Sequence, residues 1–123
     1  MMNCNAKQGD IIKLDFSPTK GHEQRGRRPA LVVSNATYNK YGRGIVIVCP
    51  ITGTDRGIKT QIKLDDRTET TGVIMTDQIK ALDLSERNPE FVENIPFDIL
   101  IEVCDIISGF TEIEDRELKR ASE

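Results

Sequence analysis

Tryptophan is absent from this chain of 123 residues, histidine occurs once, and aromatic residues make up 5 % of the total. A protein that only holds single-stranded nucleic acid by stacking would offer more π-faces than two tyrosines and four phenylalanines. The three cysteines, Cys4, Cys49 and Cys104, are odd in number, widely spaced and free of any Cys-x-x-Cys pair. With one histidine beside them, no zinc set can be assembled from one chain, so no metal site is expected. Cys49 and Cys104 lie in apolar segments and read as small core residues, whereas Cys4 lies in a polar leader. No apolar run approaches membrane-spanning length, and Met1 to Asp10 lacks a signal-peptide core, so a cytoplasmic protein without a membrane partner is expected. There is no phosphate-binding glycine loop, dinucleotide fingerprint or internal repeat, and no cofactor is expected.

What is present is a globular composition, 37 % apolar and 30 % charged, of a length that suits one domain. At this size the surface-to-volume ratio is unfavourable, and dimerisation would bury more. The net charge of −3 argues weakly against a protein that coats nucleic acid. A local basic cluster, however, binds a short backbone segment whatever the overall sign. Such a cluster runs from Pro18 to Pro29. It contains Lys20, Arg25, Arg27 and Arg28, the carboxylate Glu23, and the one group that titrates near neutrality, His22. Gly21, Gly26, Pro18 and Pro29 mark it as a loop between two apolar runs, and long polar loops between strands are more often functional than short turns. Arg56 and Lys59 form a second basic stretch, while acids gather at Asp65, Asp66, Glu69 and from Glu112 to Glu123.

Taken in order, residues 1–8 read as a disordered leader, 9–110 as the domain and 111–123 as a charged tail. Asp10 to Phe16 alternates, with Ile12, Leu14 and Phe16 on one face, as a half-buried strand does. Ala30 to Ser34 is a second strand, and Asn35 to Gly42 a turn or one helical turn. Gly44 to Thr52 is continuously apolar, as in a central strand buried on both faces, with Pro50 at an edge or bulge. Thr52 is either an ordinary strand threonine or a hydroxyl rigidly supported where the strand ends. Thr60 to Leu64 alternates again. Gly72 to Leu82 is one bent strand or two, interrupted by Asp77. Asp83 to Asn94, with Pro89, reads as irregular. Pro96 to Gly109 is a helix whose buried stripe is read as Phe97, Leu100, Ile101, Cys104 and Ile107, leaving Ile99 and Val103 to widen the apolar surface towards a partner subunit. The fold class is therefore mainly β (α+β), a small, strongly bent antiparallel barrel with a C-terminal helix.

Several short pieces occur together in one order: Gly9-Asp10, Phe16-Ser17-Pro18, Gly21-His22-Glu23-Gln24, Arg28-Pro29 followed by Val32-Val33-Ser34, Pro50-Ile51-Thr52, and Thr71-Gly72-Val73 leading into Asp77-Gln78. In this the chain resembles the MazF/PemK toxins of bacterial toxin–antitoxin systems. The resemblance implies an SH3-like barrel of the CcdB/PemK type and a homodimer. It also implies a metal-independent endoribonuclease acting on single-stranded RNA, and a cognate antitoxin whose extended acidic segment covers the RNA groove. Arg28 and Thr52 stand where the family carries its catalytic arginine and threonine, and Glu23 matches a glutamate of the MazF branch. His22 and Asp77 match catalytic positions of the Kid/PemK branch, although Met75 replaces that branch's arginine. Lys20, Arg25, Arg27, Arg56 and Gln78 complete the expected RNA-binding set.

Two other readings compete. A CcdB-like DNA gyrase poison would use the C-terminal helix and cut nothing, and it has no need of the Arg28, Thr52, Glu23 and His22 set. A barrel that merely holds RNA is disfavoured by the scarcity of aromatics.

Overall fold

The computed structural model describes residues 5–17 and 26–115. Seven strands and two helices follow in the order β1 (Asp10–Asp15), β2 (Arg27–Val32), α1 (Ala36–Gly42), β3 (Ile45–Thr52), β4 (Gln61–Lys63), β5 (Val73–Met75), β6 (Lys80–Asp83), β7 (Glu90–Asn94) and α2 (Phe97–Phe110). Short 3₁₀ turns at Thr76–Gln78 and Leu84–Glu86 flank β6. The mainly-β reading with a C-terminal helix holds, and all pairings are antiparallel. No helix among the described residues is long and apolar enough to cross a membrane.

β1, β2 and β3 form the centre and bury both faces, because their side chains alternate between two clusters. Ile11, Leu31, Cys49 and Ile51 pack under α2 with Ile62, Ile74, Ile99 and Val103. Ile12, Leu14, Ala30, Val32, Val46 and Val48 fill the other face with Leu84.

Four expectations are corrected. β2 begins at Arg27, not Ala30, because Arg27, Arg28 and Pro29 pair with Asp15, Leu14 and Lys13 of β1. Asn35 to Gly42 is a two-turn helix, with the Asn35 side chain accepting from Tyr38 N–H. Glu90 to Asn94 is a strand on the outer edge of β1, not irregular chain. On α2 the phase differs: Ile99 and Val103 are buried in the core, while Phe97 is 72 % and Ile101 45 % exposed. The helix is apolar over so much of its circumference that either phase satisfies the 3.6 period, and the sheet beneath selects one.

Among the described residues the expected barrel is not closed by strand pairing. The path of the sheet is β4-β5-β3-β2-β1-β7, with β6 also on β3. The split occurs within β3, which pairs with β6 as far as Val48 and with β5 from Ile51. Pro50, which has no N–H to donate, lies between those two sets of partners. Of the segment read as a leader, residues 5–8 are held to this sheet: Gln8 Nε2 donates to Val33 O at 2.9 Å, and Lys7 N–H to Asp10 Oδ2 at 2.9 Å.

The two outer edges are joined by a carboxylate. Glu93 of β7 accepts from Glu69 N–H (3.0 Å), Thr70 N–H (2.8 Å) and the Thr70 hydroxyl (2.7 Å), all on the connection between β4 and β5. Partial burial raises its pKa, but the Thr70 and Glu69 hydrogen bonds outweigh that, and the net shift is downward from 4.5. A depressed carboxylate pKa contributes stability that is complete above the unfolded value and is lost as pH falls through the folded one. Glu93→Gln is therefore expected to cost about 1–2 kcal/mol at neutral pH. The gap from wild type should close as denaturant unfolding is repeated at successively lower pH below 4.5. A gap constant across that range would refute the latch.

Candidate active site

At the end of the sheet where β1 and β3 finish and β2 begins, the registers bring several polar residues together. Across β2 and β3, Val32 faces Val48 and Ala30 faces Pro50. Carried two positions further along both strands, the same register sets Arg28 opposite Thr52, on one face with Leu14, which pairs with Arg28 across β1. Arg28 is exposed and has no ion-pair partner among the described residues. Thr52 is half-buried, and its Oγ1 accepts from Thr54 N–H at 3.2 Å, which leaves the hydroxyl proton available to another acceptor. This end of β3 is fixed by Gly72, whose φ is +116° and whose missing Cβ would overlap the Thr52 carbonyl oxygen. Only glycine permits both the conformation and the approach.

Two residues at this end were not anticipated. Phe16 continues the face of Ile12 and Leu14, and the Lys80 ammonium lies 5.5 Å from the centre of its ring. Lys80 opens β6 opposite Val48, and its contact with Phe16 brings a second cation to the end of β1, on the face that Leu14 shares with Arg28. Nothing in the sequence paired Phe16 with Lys80, because they meet only once β1 and β6 are assembled into one sheet.

Arg27 behaves differently from Arg28. Its guanidinium donates to Asp15 Oδ1 (3.2 Å), Asn88 O (2.9 Å) and Glu90 Oε1 (3.1 Å). Asn88 Nδ2 in turn donates to Asp15 Oδ2 at 2.8 Å. The Asn88 hydrogen bond first, and then Arg27, hold the Asp15 carboxyl below its ordinary pKa despite the opposing effect of burial. Arg87 donates to both Asp15 O (3.0 Å) and Phe16 O (2.7 Å).

Of the remaining expected residues, Arg56 is exposed, and its backbone N–H donates to Gln61 Oε1 at 2.8 Å. Asp77 and Gln78 occupy the exposed part of the 3₁₀ turn before β6, and Asp77 Oδ2 accepts from the Thr60 hydroxyl at 3.2 Å. No hydrogen bond or ion pair among the described residues joins Asp77 to Arg28 or Thr52. Met75 ends β5 opposite Gln61. Lys20, His22, Glu23 and Arg25 lie outside the described residues, on the connection whose flanks are clasped by Phe16 N–H donating to Gly26 O at 2.8 Å. Cys49 is no nucleophile: burial, with smaller effects from Cys104 and Asp77, pushes its thiol up to about 12. Among the described residues no cluster of three or more His, Cys, Asp or Glu could hold a metal ion.

The arrangement therefore offers an exposed guanidinium, a hydroxyl with a free proton and a second cation, on the face where the basic connection leaves the sheet. That set can bind and polarise a phosphodiester.

Known proteins share this frame. Residues 7–110 match the family described as the PemK-like, MazF-like toxin of type II toxin-antitoxin system. A curated protein of Escherichia coli, endoribonuclease PemK, is 34 % identical over 106 residues, covering 83 % of this chain and 79 % of its own length. The endoribonuclease toxin MazF of Escherichia coli K12 is 40 % identical over 74 residues, 60 % of this chain and 65 % of that protein. The crystal structure of MazF from Deinococcus radiodurans superposes with a TM-score of 0.76 at 34 % identity, covering 88 % of this chain and 97 % of that one. A MazE-MazF structure from the same organism gives 0.76 at 28 % identity, over 91 % and 100 %.

Proposed function

The chain belongs to the PemK-like, MazF-like family of type II toxin–antitoxin toxins, and from that premise we propose that it is a sequence-specific endoribonuclease that cuts single-stranded RNA without a metal ion. The observation that supports this reading is the β2–β3 register of Ala30 with Pro50 and Val32 with Val48, which, carried two residues further, directs the exposed Arg28 towards Thr52. The attacking group belongs to the substrate. The ribose 2′-oxygen forms a bond to phosphorus as the bond to the 5′-oxygen breaks, leaving a 2′,3′-cyclic phosphate and a 5′-hydroxyl. The 2′ proton must leave and the 5′-oxygen must gain one. Arg28 binds the phosphoryl oxygens with its planar fork, and the Thr52 hydroxyl orients the phosphate or the 2′-hydroxyl. Glu23 and His22 are the titratable groups offered for proton transfer, with Asp77 as a further carboxylate. Lys20, Arg25, Arg56 and Gln78 contact the flanking RNA.

The relatives support this reading: PemK and MazF of Escherichia coli are endoribonucleases. They do not favour the gyrase-poison alternative, which has no use for Arg28 and Thr52. A cognate antitoxin occupies the same cationic end with an acidic segment, in keeping with the MazE-MazF structure of a relative. The protein works as a homodimer in the cytoplasm. The exposed Phe97 and Ile101 of α2 supply the apolar surface that Ile99 and Val103 do not.

The deciding experiment incubates purified protein with mixed single-stranded RNA in excess chelator. Discrete fragments ending in 5′-hydroxyls and 2′,3′-cyclic phosphates are expected. Cleavage that needs an added divalent ion, or fragments with 5′-phosphates, would overturn the mechanism.

A further inference from the structure

Arg27 and Arg28 are neighbours in sequence and equal in charge, yet the strand separates them. Successive residues of β2 point to opposite faces. Arg27 shares a face with its register partner Asp15 and with Glu90, itself paired with Lys13 of β1. Arg28 shares the opposite face with Leu14 and, by register, Thr52. The Arg27 guanidinium is committed to two carboxylates and one carbonyl. Asp15 is half of a closed net: Arg27 and Asn88 hold its two oxygens, its N–H donates to Arg87 O at 2.8 Å, and Arg87 returns to the carbonyls of Asp15 and Phe16. The Asp15 side chain is only 13 % exposed, so this is an inner pair and not a rim contact.

We infer that Arg27, clamped by Asp15, is a positioning residue that fixes the start of β2 and so aims Arg28, and that it does not itself contact RNA. This rests on the ribonuclease reading above for its kinetic consequence, but the geometric part stands without it. Where Arg27 is pinned, the alternation of β2 leaves Arg28 one face only. Where the pin is removed, Arg27, Arg28 and Pro29 are held by their β1 partners alone, since pairing with β3 begins at Ala30. That short stretch would then swing, and Arg28 with it. Since a misplacement of about 1 Å can cost up to about 10² in rate, the loss should fall on the chemical step more than on binding.

The test uses full-length wild type, Arg27→Met, Arg27→Lys and Asp15→Asn, with equilibrium binding and single-turnover cleavage measured on one RNA. Arg27→Met and Asp15→Asn should each slow cleavage at saturating RNA about tenfold. Affinity should stay within about twofold, and the slope of log affinity against log salt should not change. Arg27→Lys should fall between, because the ammonium keeps the charge but cannot fork between Asp15 and Glu90. An RNA contact predicts the opposite signs. Arg27→Met would then weaken binding and lower the salt slope by about one, while Asp15→Asn, by freeing the guanidinium, would tighten binding. That pair of results would overturn the inference. If the wild type cuts no RNA, the proposed activity fails and amide exchange decides the positioning role separately. The Phe16 N–H, bonded to Gly26 O at the hairpin base, should exchange about tenfold faster in Arg27→Met while the central Leu31 is unchanged. No change at Phe16, or equal acceleration at Leu31, would overturn it.

Discussion

Arg28→Ala is expected to slow single-turnover RNA cleavage by at least about 10²–10³-fold while the protein stays folded, and Thr52→Ala to lose activity on the same order. The fold should survive because Arg28 is exposed and unpaired among the described residues, and Thr52 is only half-buried. The activity should not, because a donor aimed at charge that develops on the phosphoryl oxygens acts mainly in the transition state. His22→Ala should lose less. A Kid-type division of labour would put an arginine at position 75, and this chain has Met75, which donates no hydrogen bond and carries no charge. Charge stabilisation then falls to Arg28, with Thr52 beside it, while Glu23 or water partly replaces His22 in proton transfer. Rates on a single RNA, with circular dichroism on each variant, decide the ranking. It is wrong if His22→Ala is as inactive as Arg28→Ala and Thr52→Ala stays near wild type.

Arg28 and Thr52 stood out in the sequence as candidates, because both fall within the motif pieces Arg28-Pro29 and Pro50-Ile51-Thr52. That the β2–β3 register directs one towards the other was not legible there, since it depends on pairing between strands some twenty residues apart. The difference between Arg27 and Arg28 was still less visible. In a run rich in glycine, proline and arginine, loop chemistry dominates the local signal, and only pairing with Asp15 of β1 converts the last three residues into strand. β7 was hidden for a related reason. It is an edge strand whose Phe91 is 54 % exposed, next to Pro89, so it lacks the inward alternation by which β1 and β3 announce themselves. The α2 stripe shows the converse. Periodicity located the helix within a residue or two, but Phe97, Ile99, Leu100, Ile101, Val103 and Cys104 satisfy more than one phase. The choice lay with Ile62, Ile74 and Ile11 on the sheet below. Local pattern therefore identified elements, while the partners of each face were set by tertiary contacts far away in sequence.

Gly72→Ala is expected to be the most destabilising glycine-to-alanine change among the described residues, roughly 3–5 kcal/mol, from backbone strain and overpacking together. Two costs coincide at this position. A φ of +116° lies where side chains are rarely accommodated, and a Cβ built there would overlap the carbonyl oxygen of Thr52. The obstacle is backbone on a paired strand, not the far end of a flexible side chain, so it cannot simply rotate away. Relief would require opening the β3–β5 pairing at Thr52 and Val73, which is the support of the proposed catalytic hydroxyl. A loss of this size is a large share of the roughly 5–15 kcal/mol that holds a small domain together. It should appear as a much lower denaturation midpoint and as slow cleavage in whatever fraction remains folded. Gly53→Ala, one residue beyond Thr52, is the control. An added Cβ there meets nothing within 4 Å, and both stability and rate should stay near wild type. If the two glycine variants unfold at the same denaturant concentration, the close approach of Gly72 to Thr52 does not shape this site.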